Sequence, residues 1–160
     1  MDQLTFISMT KTKGWGWYPP RFCAELGRFA FVFADVEGVA GELIVVHHGY
    51  AEMMKGDWSR SGKQWIAALR ECFDSPNFQE MCDALDELTK TRNLFMHGEW
   101  SFLSDTVAMV MKRHHDKSSQ SPGYEMADNI TPEMIASQTQ HLIAIEVALG
   151  NYLGDKMGIS

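Results

Sequence analysis

The sequence has little of three things: cysteine, positive charge and long apolar segments. The three cysteines, Cys23, Cys72 and Cys82, form no CxxC pair, so we expect reduced, partly buried thiols and a reducing, cytoplasmic compartment. The longest apolar stretch, residues 29–46, is interrupted by three acidic residues and two glycines, which argues against a membrane span. The first residues lack the basic-then-apolar order of a secretory signal. We therefore expect no membrane partner.

The formal net charge of −7 excludes one class of function, a protein that coats nucleic acid through a broad basic surface. It leaves room for a small basic pocket that acts on RNA. The sequence also has no glycine-rich phosphate loop, no Ser-His-Asp arrangement and no nucleotide-binding fingerprint. We expect no cofactor, and any chemistry must come from a local group of side chains.

The length of 160 residues fits one domain. Residues 1–20 are predicted to be an irregular N-terminal arm whose aromatic residues Trp15, Trp17 and Tyr18 pack over the domain. Residues 21–160 are predicted to form that single domain.

Apolar residues recur at helical spacing over most of the chain. This pattern predicts four helices, over residues 21–48, 62–73, 77–97 and from a Thr131 cap to residue 153. Between the last two, residues 106–112 alternate like a strand, residues 114–123 are polar like a mobile loop, and residues 124–129 can return as a second strand. The predicted fold is mainly α, a four-to-five-helix up-and-down bundle with a small β-hairpin before the last helix.

One charged residue falls in the middle of an apolar stripe. On a helical wheel of about 100° per residue, Arg92 lies at the centre of the buried face of the third predicted helix. A guanidinium is costly to bury, so this position requires an acid, a phosphate or a water-filled cleft. Glu37, at the edge of the first helix's stripe, is a reasonable carboxylate partner.

Two further polar residues lie close to Arg92 in the sequence. Asn93 borders the same helix face, and His97 follows about one and a half turns later at the predicted helix end, before Gly98. A histidine exchanges protons near neutral pH, which suits general acid–base catalysis.

The segment RNLFMHG, residues 92–98, resembles the R-x4-6-H signature of the HEPN superfamily, in which a polar residue often follows the arginine. The predicted helical bundle, with the motif near the end of an inner helix, is similar to small bacterial members of that group. The resemblance covers residues 21–155 as architecture but only Arg92, Asn93 and His97 as motif.

The resemblance implies a metal-independent endoribonuclease that acts as a homodimer with both motifs facing one cleft. His97 would move the proton of a ribose 2′-hydroxyl, Arg92 would hold the scissile phosphate, and Asn93 would orient the phosphate or the histidine. The implied products are a 2′,3′-cyclic phosphate and a 5′-hydroxyl. Family members are commonly toxins or phage-defence effectors, which also implies a possible protein inhibitor.

Several alternatives remain open from the residues alone. Arg92 and Asn93 can simply tie helices together while His97 caps a carbonyl, which would make the chain a non-catalytic dimeric bundle serving as a protein-binding or structural module. His47, on the stripe of the first helix, can face the same groove as His97 and bind substrate, or it can be a core or capping histidine. A metal site of His47, His48 and His97 lacks the spacings that bring two ligands onto one helix face.

Overall fold

The computed structural model describes residues 17–49, 62–116 and 121–159, and within these ranges the chain forms four helices and three strands. The mainly helical fold is thereby confirmed. Most of the predicted arm, including Trp15, lies outside the described residues. Each helix of the described residues is either too short or too polar to span a bilayer. In chain order the elements are α1 (Pro20–His48), α2 (Gly62–Arg70), α3 (Pro76–His97), β1 (Glu99–Phe102), β2 (Ala108–Asp116), β3 (Ser121–Ile130) and α4 (Pro132–Met157).

The helix ends follow local chemistry. Prolines occupy the first positions of α1, α3 and α4, where their missing N–H is not needed. Gly49 ends α1 with a φ of 86°, a left-handed value that a glycine adopts without strain. At the start of α4 the Thr131 hydroxyl accepts a hydrogen bond from the Met134 N–H at 3.3 Å. These ends agree closely with the sequence predictions.

Helix α2 is shorter than predicted and ends at Arg70, three residues before the predicted end at residue 73. The N–H groups of Glu71 and Cys72 turn back to carbonyls three residues earlier, which tightens the last turn. The side-chain amide of Gln79, from the first turn of α3, then donates to the carbonyls of Arg70 and Phe73 at 2.9 and 2.7 Å. A side chain of the next helix therefore satisfies the end of α2.

In place of the predicted β-hairpin, the structure has a three-stranded antiparallel sheet in the order β1-β2-β3. The first strand was not predicted, because four residues directly after a helix are too short to show alternation. The predicted mobile loop is also wrong at both ends, since residues 114–116 and 121–123 pair with each other in β2 and β3. Backbone pairing does not require apolar side chains, so polar residues extend the ladder. Residues 117–120 lie outside the described part.

The core is centred on α1, which packs along α4 and runs antiparallel to α3. Phe29 of α1 meets Phe95 of α3 with ring centroids 5.6 Å apart. One turn further along α1, Phe33 lies beneath Arg92, which precedes Phe95 by three residues in α3, so the two helices run in opposite directions. At this end the sheet closes the core through Trp100 and Phe102, whose rings stack at 5.9 Å. The start of α1 and the end of α3 are therefore held together by aromatic side chains.

The short segment before α1 packs on the same aromatic cluster. The rings of Trp17 and Tyr18 meet Phe102 edge-on, with centroid distances of 6.2 and 6.1 Å. Edge-to-face contacts of this kind add to the apolar area that the rings cover. The chain entering α1 thus lies against β1.

Candidate functional site at the end of helix α3

Arg92 is half-buried in the groove between α3 and α1. Its guanidinium carbon lies 5.6 Å from the centroid of the Phe33 ring, which is itself buried. Its Nη1 donates a hydrogen bond to the Asn93 side-chain oxygen at 3.2 Å. A cation over an aromatic face gains electrostatic stabilisation that increases as water is excluded. The two contacts fix where the charge lies and use only part of its donor capacity.

The predicted carboxylate partner is not at the site. Glu37 is half-buried on α1, and within the described ranges neither it nor another carboxylate comes within ion-pair distance of Arg92. A guanidinium has five N–H donors and stays protonated at any physiological pH. The described residues therefore leave Arg92 with a full positive charge that no acid neutralises. This charge is suited to an anionic ligand.

His97 is the last residue of α3, and its side chain is exposed. By helix geometry it lies about 7.5 Å along the axis from Arg92 and about 140° around it. Its ring makes no hydrogen bond or ion pair with the described residues, Arg92 included. No described residue therefore occupies either ring nitrogen, and the exposed ring is accessible to a ligand or to water.

The position of His97 is set by tight packing just after it. A Cβ placed on Gly98 would collide with the Leu94 carbonyl and with a methyl group of Val110 in β2. Gly98 has a φ of −84°, so a glycine is needed here for the close approach of β2 and not for backbone conformation. The indole N–H of Trp100 also donates to the Phe95 carbonyl at 2.9 Å. Strand β1 thus folds directly back onto the end of α3.

Two supporting residues, Phe33 and Trp100, were not assigned a role at the site from the sequence. In the sequence, Phe33 is one of several apolar residues on the stripe of α1, and Trp100 is an aromatic residue two positions after the motif. A stripe position shows that a residue is buried but not which side chain of another helix it meets. That signal could not have identified them.

The structure does not bring His47 to this site. His47 follows Phe29 by 18 residues, so His47 and Phe29 lie about 27 Å apart along α1. Because α1 runs antiparallel to α3, this distance takes His47 away from the end of α3. Phe29 contacts Phe95 near the end of α3, so His47 lies at the opposite end of the bundle from His97. This distance also separates the two halves of the alternative metal site.

At that opposite end His47 has its own neighbours. Its Nδ1 lies 3.2 Å from the ammonium of Lys156 in α4, and its ring meets the His48 ring edge-on at 4.9 Å. Partial burial lowers the pKa of His47 below its ordinary value of 6.5, and Lys156 and His48 lower it further. A neutral ring accepting from Lys156 fits these contacts. Within the described residues, no three potential metal ligands of the His, Cys, Asp or Glu type come together.

A groove of about 420 Å³ lies between α3 and α4, and its lining includes Thr91, which directly precedes Arg92 in the chain. Its floor is apolar and includes Leu88 and Ile145, and its rim carries polar side chains such as Glu87, Thr91 and His141. The groove is open because α3 and α4 touch along only a short part of their length.

Comparisons of the chain with protein-family models, with curated proteins and with solved structures gave no match. What the site can do therefore follows from its own chemistry. Arg92 supplies a fixed positive charge, Asn93 an amide held against it, and His97 an exposed group that can accept or donate a proton. The site therefore supplies anion binding at Arg92 and proton transfer at His97, from two positions of α3 that lie about 140° apart around the helix axis.

Proposed function

We propose that this chain is a metal-independent endoribonuclease of the HEPN type, in which Arg92, Asn93 and His97 act on a phosphodiester. The observation that carries the proposal is the half-buried Arg92 guanidinium, which is held by Phe33 and Asn93 and has no carboxylate partner among the described residues. A partly desolvated cation without an acid is costly for a purely structural residue. A bound phosphate would offset that cost.

The proposed reaction uses the ribose next to the scissile phosphate. His97 accepts the proton of the 2′-hydroxyl as its oxygen attacks phosphorus, and the bond to the 5′-oxygen breaks. The leaving 5′-oxygen takes up a proton from protonated His97, directly or through water, which returns the ring to its neutral form and gives a 2′,3′-cyclic phosphate and a 5′-hydroxyl. Arg92 stabilises the negative charge that develops on the phosphate oxygens, and Asn93 holds the guanidinium in place.

Three features support this assignment of roles. The motif is at the end of a packed helix, which restricts the movement of its side chains. His97 is exposed, so a substrate has access to its ring. The acidic net charge means that binding would depend on this local cation more than on a general basic surface. A role as a toxin or a phage-defence effector belongs to the same proposal.

The test is RNA cleavage in the presence of EDTA by the wild type, Arg92→Ala and His97→Ala. We expect both substitutions to lower the rate at least about 100-fold, as is typical when a charge-stabilising or acid–base group is removed. Arg113→Ala and His141→Ala are matched controls, because these side chains are exposed and lie outside the motif. An RNA with a 2′-deoxy residue at the cleaved position should resist the wild type.

Activity that persists in both motif variants would contradict the proposal, and so would cleavage of the 2′-deoxy substrate. Products bearing a 5′-phosphate would contradict the proposed attack by the 2′-oxygen. Loss of activity in the two controls as well would show that the assay reports stability and not the site.

A non-catalytic dimeric module that binds a protein is the second candidate. The specific observation in its favour is the open groove between α3 and α4, whose apolar floor suits a partner helix. Arg92 and Asn93 would then tie α3 to α1. This candidate predicts no cleavage under any condition and a binding defect after Leu88→Asp, whereas the nuclease should retain its activity when folded Leu88→Asp protein is assayed.

A further inference from the structure

The side of α1 that points away from the core carries an exposed phenylalanine. Phe31 has 77% of its surface accessible, the largest value among the exposed large apolar side chains of the described residues. Small residues surround it at helical spacing and, together with Phe31, form what we call the outer face of α1: Ala24, Gly27, Phe31, Ala34, Gly38 and Gly41. This face spans about five turns of the helix.

No contact among the described residues explains why the outer face combines glycines with an exposed phenylalanine. No described atom lies within 4 Å of a Cβ built on Gly27 or on Gly38. Glycine within a helix lowers its stability, and an exposed phenylalanine leaves apolar area in water. Both features are accounted for if a second helix packs closely here, because glycines allow a close backbone approach and the ring is then buried.

Two charged residues on one flank of this face indicate what the second helix is. Arg28 and Asp35 are both exposed and are one heptad apart, so they lie on the same side of α1. Glu25 holds the Arg28 guanidinium on this flank through bonds of 2.9 and 3.1 Å. In an antiparallel helix pair related by a two-fold axis, identical flanks meet. Opposite charges one heptad apart therefore complement a second copy of the same helix.

The register of such a pair follows from the outer face itself. When Phe31 lies against Ala34 of the second copy, Gly27 falls opposite Gly38. The same register places Arg28 two residues, about 3 Å along the axis, from the level of Asp35 of the second copy, which is within reach of an arginine side chain on the same flank. By symmetry this ion pair forms twice. The ring, the glycines and the charges thus agree on one arrangement.

We propose that two copies of this chain associate through the outer face of α1, antiparallel and in this register. The proposal goes beyond the proposed activity and does not rest on it. Phe31 and Phe33 point about 160° apart around α1, so this interface leaves the Arg92 site uncovered. It therefore differs from a dimer in which both motifs share one cleft.

The first test is the molar mass of the full chain by sedimentation equilibrium. We expect the wild type to form a dimer of twice 18.1 kDa, and we expect Phe31→Glu and Gly38→Leu each to raise the dissociation constant at least tenfold. Val147→Glu is the matched control, since Val147 is a similarly exposed apolar residue of α4, at 61%. Circular dichroism establishes that each variant is folded.

The second test uses the charges to check the register. Arg28→Asp and Asp35→Arg, each alone, place like charges opposite each other and should weaken the dimer at least tenfold. Mixing the two variants should produce a heterodimer, because every facing pair is then of opposite charge. The double variant should regain the wild-type dissociation constant within about threefold.

A wild type that stays monomeric at about 100 μM overturns the proposal. So does a dimer that withstands Phe31→Glu, or one that Val147→Glu disrupts equally. A dimer that depends on Phe31 but gives no heterodimer from the mixed charge variants overturns the antiparallel register.

Discussion

Arg92 keeps its charge at a half-buried position, and two neighbours allow this. Phe33 presents the face of an aromatic ring to the guanidinium, and Asn93 accepts one of its hydrogen bonds. Neither neighbour carries a negative charge, so the interaction with an arriving anion is not weakened by competition. Among the described residues, the site is thus a cation that is held in place without being neutralised.

Gly98 offers the sharpest stability prediction for a single residue. Gly98→Ala should lower the free energy of unfolding by about 1–3 kcal/mol, because the added methyl meets the Leu94 carbonyl and Val110 in a packed region. The measurement is urea denaturation followed by circular dichroism. In the control, Gly150→Ala, the new methyl has open space within the exposed side of α4, and we expect about 0.5–1 kcal/mol of stabilisation. Equal effects at the two positions would refute the packing argument.

At the scale of elements, α2 depends on α3 for its C-terminal end. The Gln79 amide donates to two carbonyls at the end of α2, and Arg70 also forms an ion pair with Asp83 of α3. A helix of nine residues has little stability of its own, so these links hold it on the bundle.

Gln79→Ala should therefore loosen α2 selectively. We expect a loss of about 1–2 kcal/mol in the free energy of unfolding, since two part-buried carbonyls lose their donor. Amide hydrogen exchange should increase more in α2 than in α4. Gln140→Ala, at an exposed position of α4, serves as the control and should change neither quantity. Uniform exchange across the helices in Gln79→Ala would argue against a local role for this side chain.

The helices could be predicted from the sequence much better than the sheet. Twenty-nine residues of α1 repeat their apolar positions many times, and prolines, Thr131 and Gly49 mark helix ends by local chemistry. Strand β1 has only four residues, and the outer parts of β2 and β3 are polar. Their pairing depends on backbone hydrogen bonds between distant residues, which leave no pattern within a short stretch of sequence.

For the whole molecule, burial separates the three cysteines into two groups. Burial raises the pKa of Cys72 and of Cys82 to about 11, while Cys23 is exposed. At pH 8 a thiol with a pKa of 11 is ionised in roughly one molecule in a thousand, and only the thiolate reacts readily. The folded chain therefore protects two of its thiols.

We expect one thiol to react rapidly with a chromogenic disulfide reagent at pH 8 in the native protein, and three in urea. Cys23→Ser should abolish the rapid phase. Rapid reaction of two or three thiols in the native state would mean that the core around Cys72 and Cys82 opens far more readily than its packing implies.

The candidate site could be predicted only in part from the sequence, because some of its contacts depend on how whole helices pack. The position of Arg92 on the inner face of its helix and the position of His97 at the helix end follow from the spacing of residues in one element. The suggested neighbours Glu37 and His47 depended on how two helices align. Phe33, and not the predicted Glu37, lies against the Arg92 guanidinium. The antiparallel packing of α1 and α3 puts His47 at the far end of the bundle.

The helices, most of their ends and the inward-facing guanidinium follow from the amino-acid sequence alone, because each depends on interactions within a few turns of one chain segment. Packing between separate elements specifies what that guanidinium contacts, where β1 pairs and which side of α1 the other described elements leave exposed. These features depend on the direction and level at which separate elements pack. That choice minimises exposed apolar area over the whole chain, so no single segment encodes it.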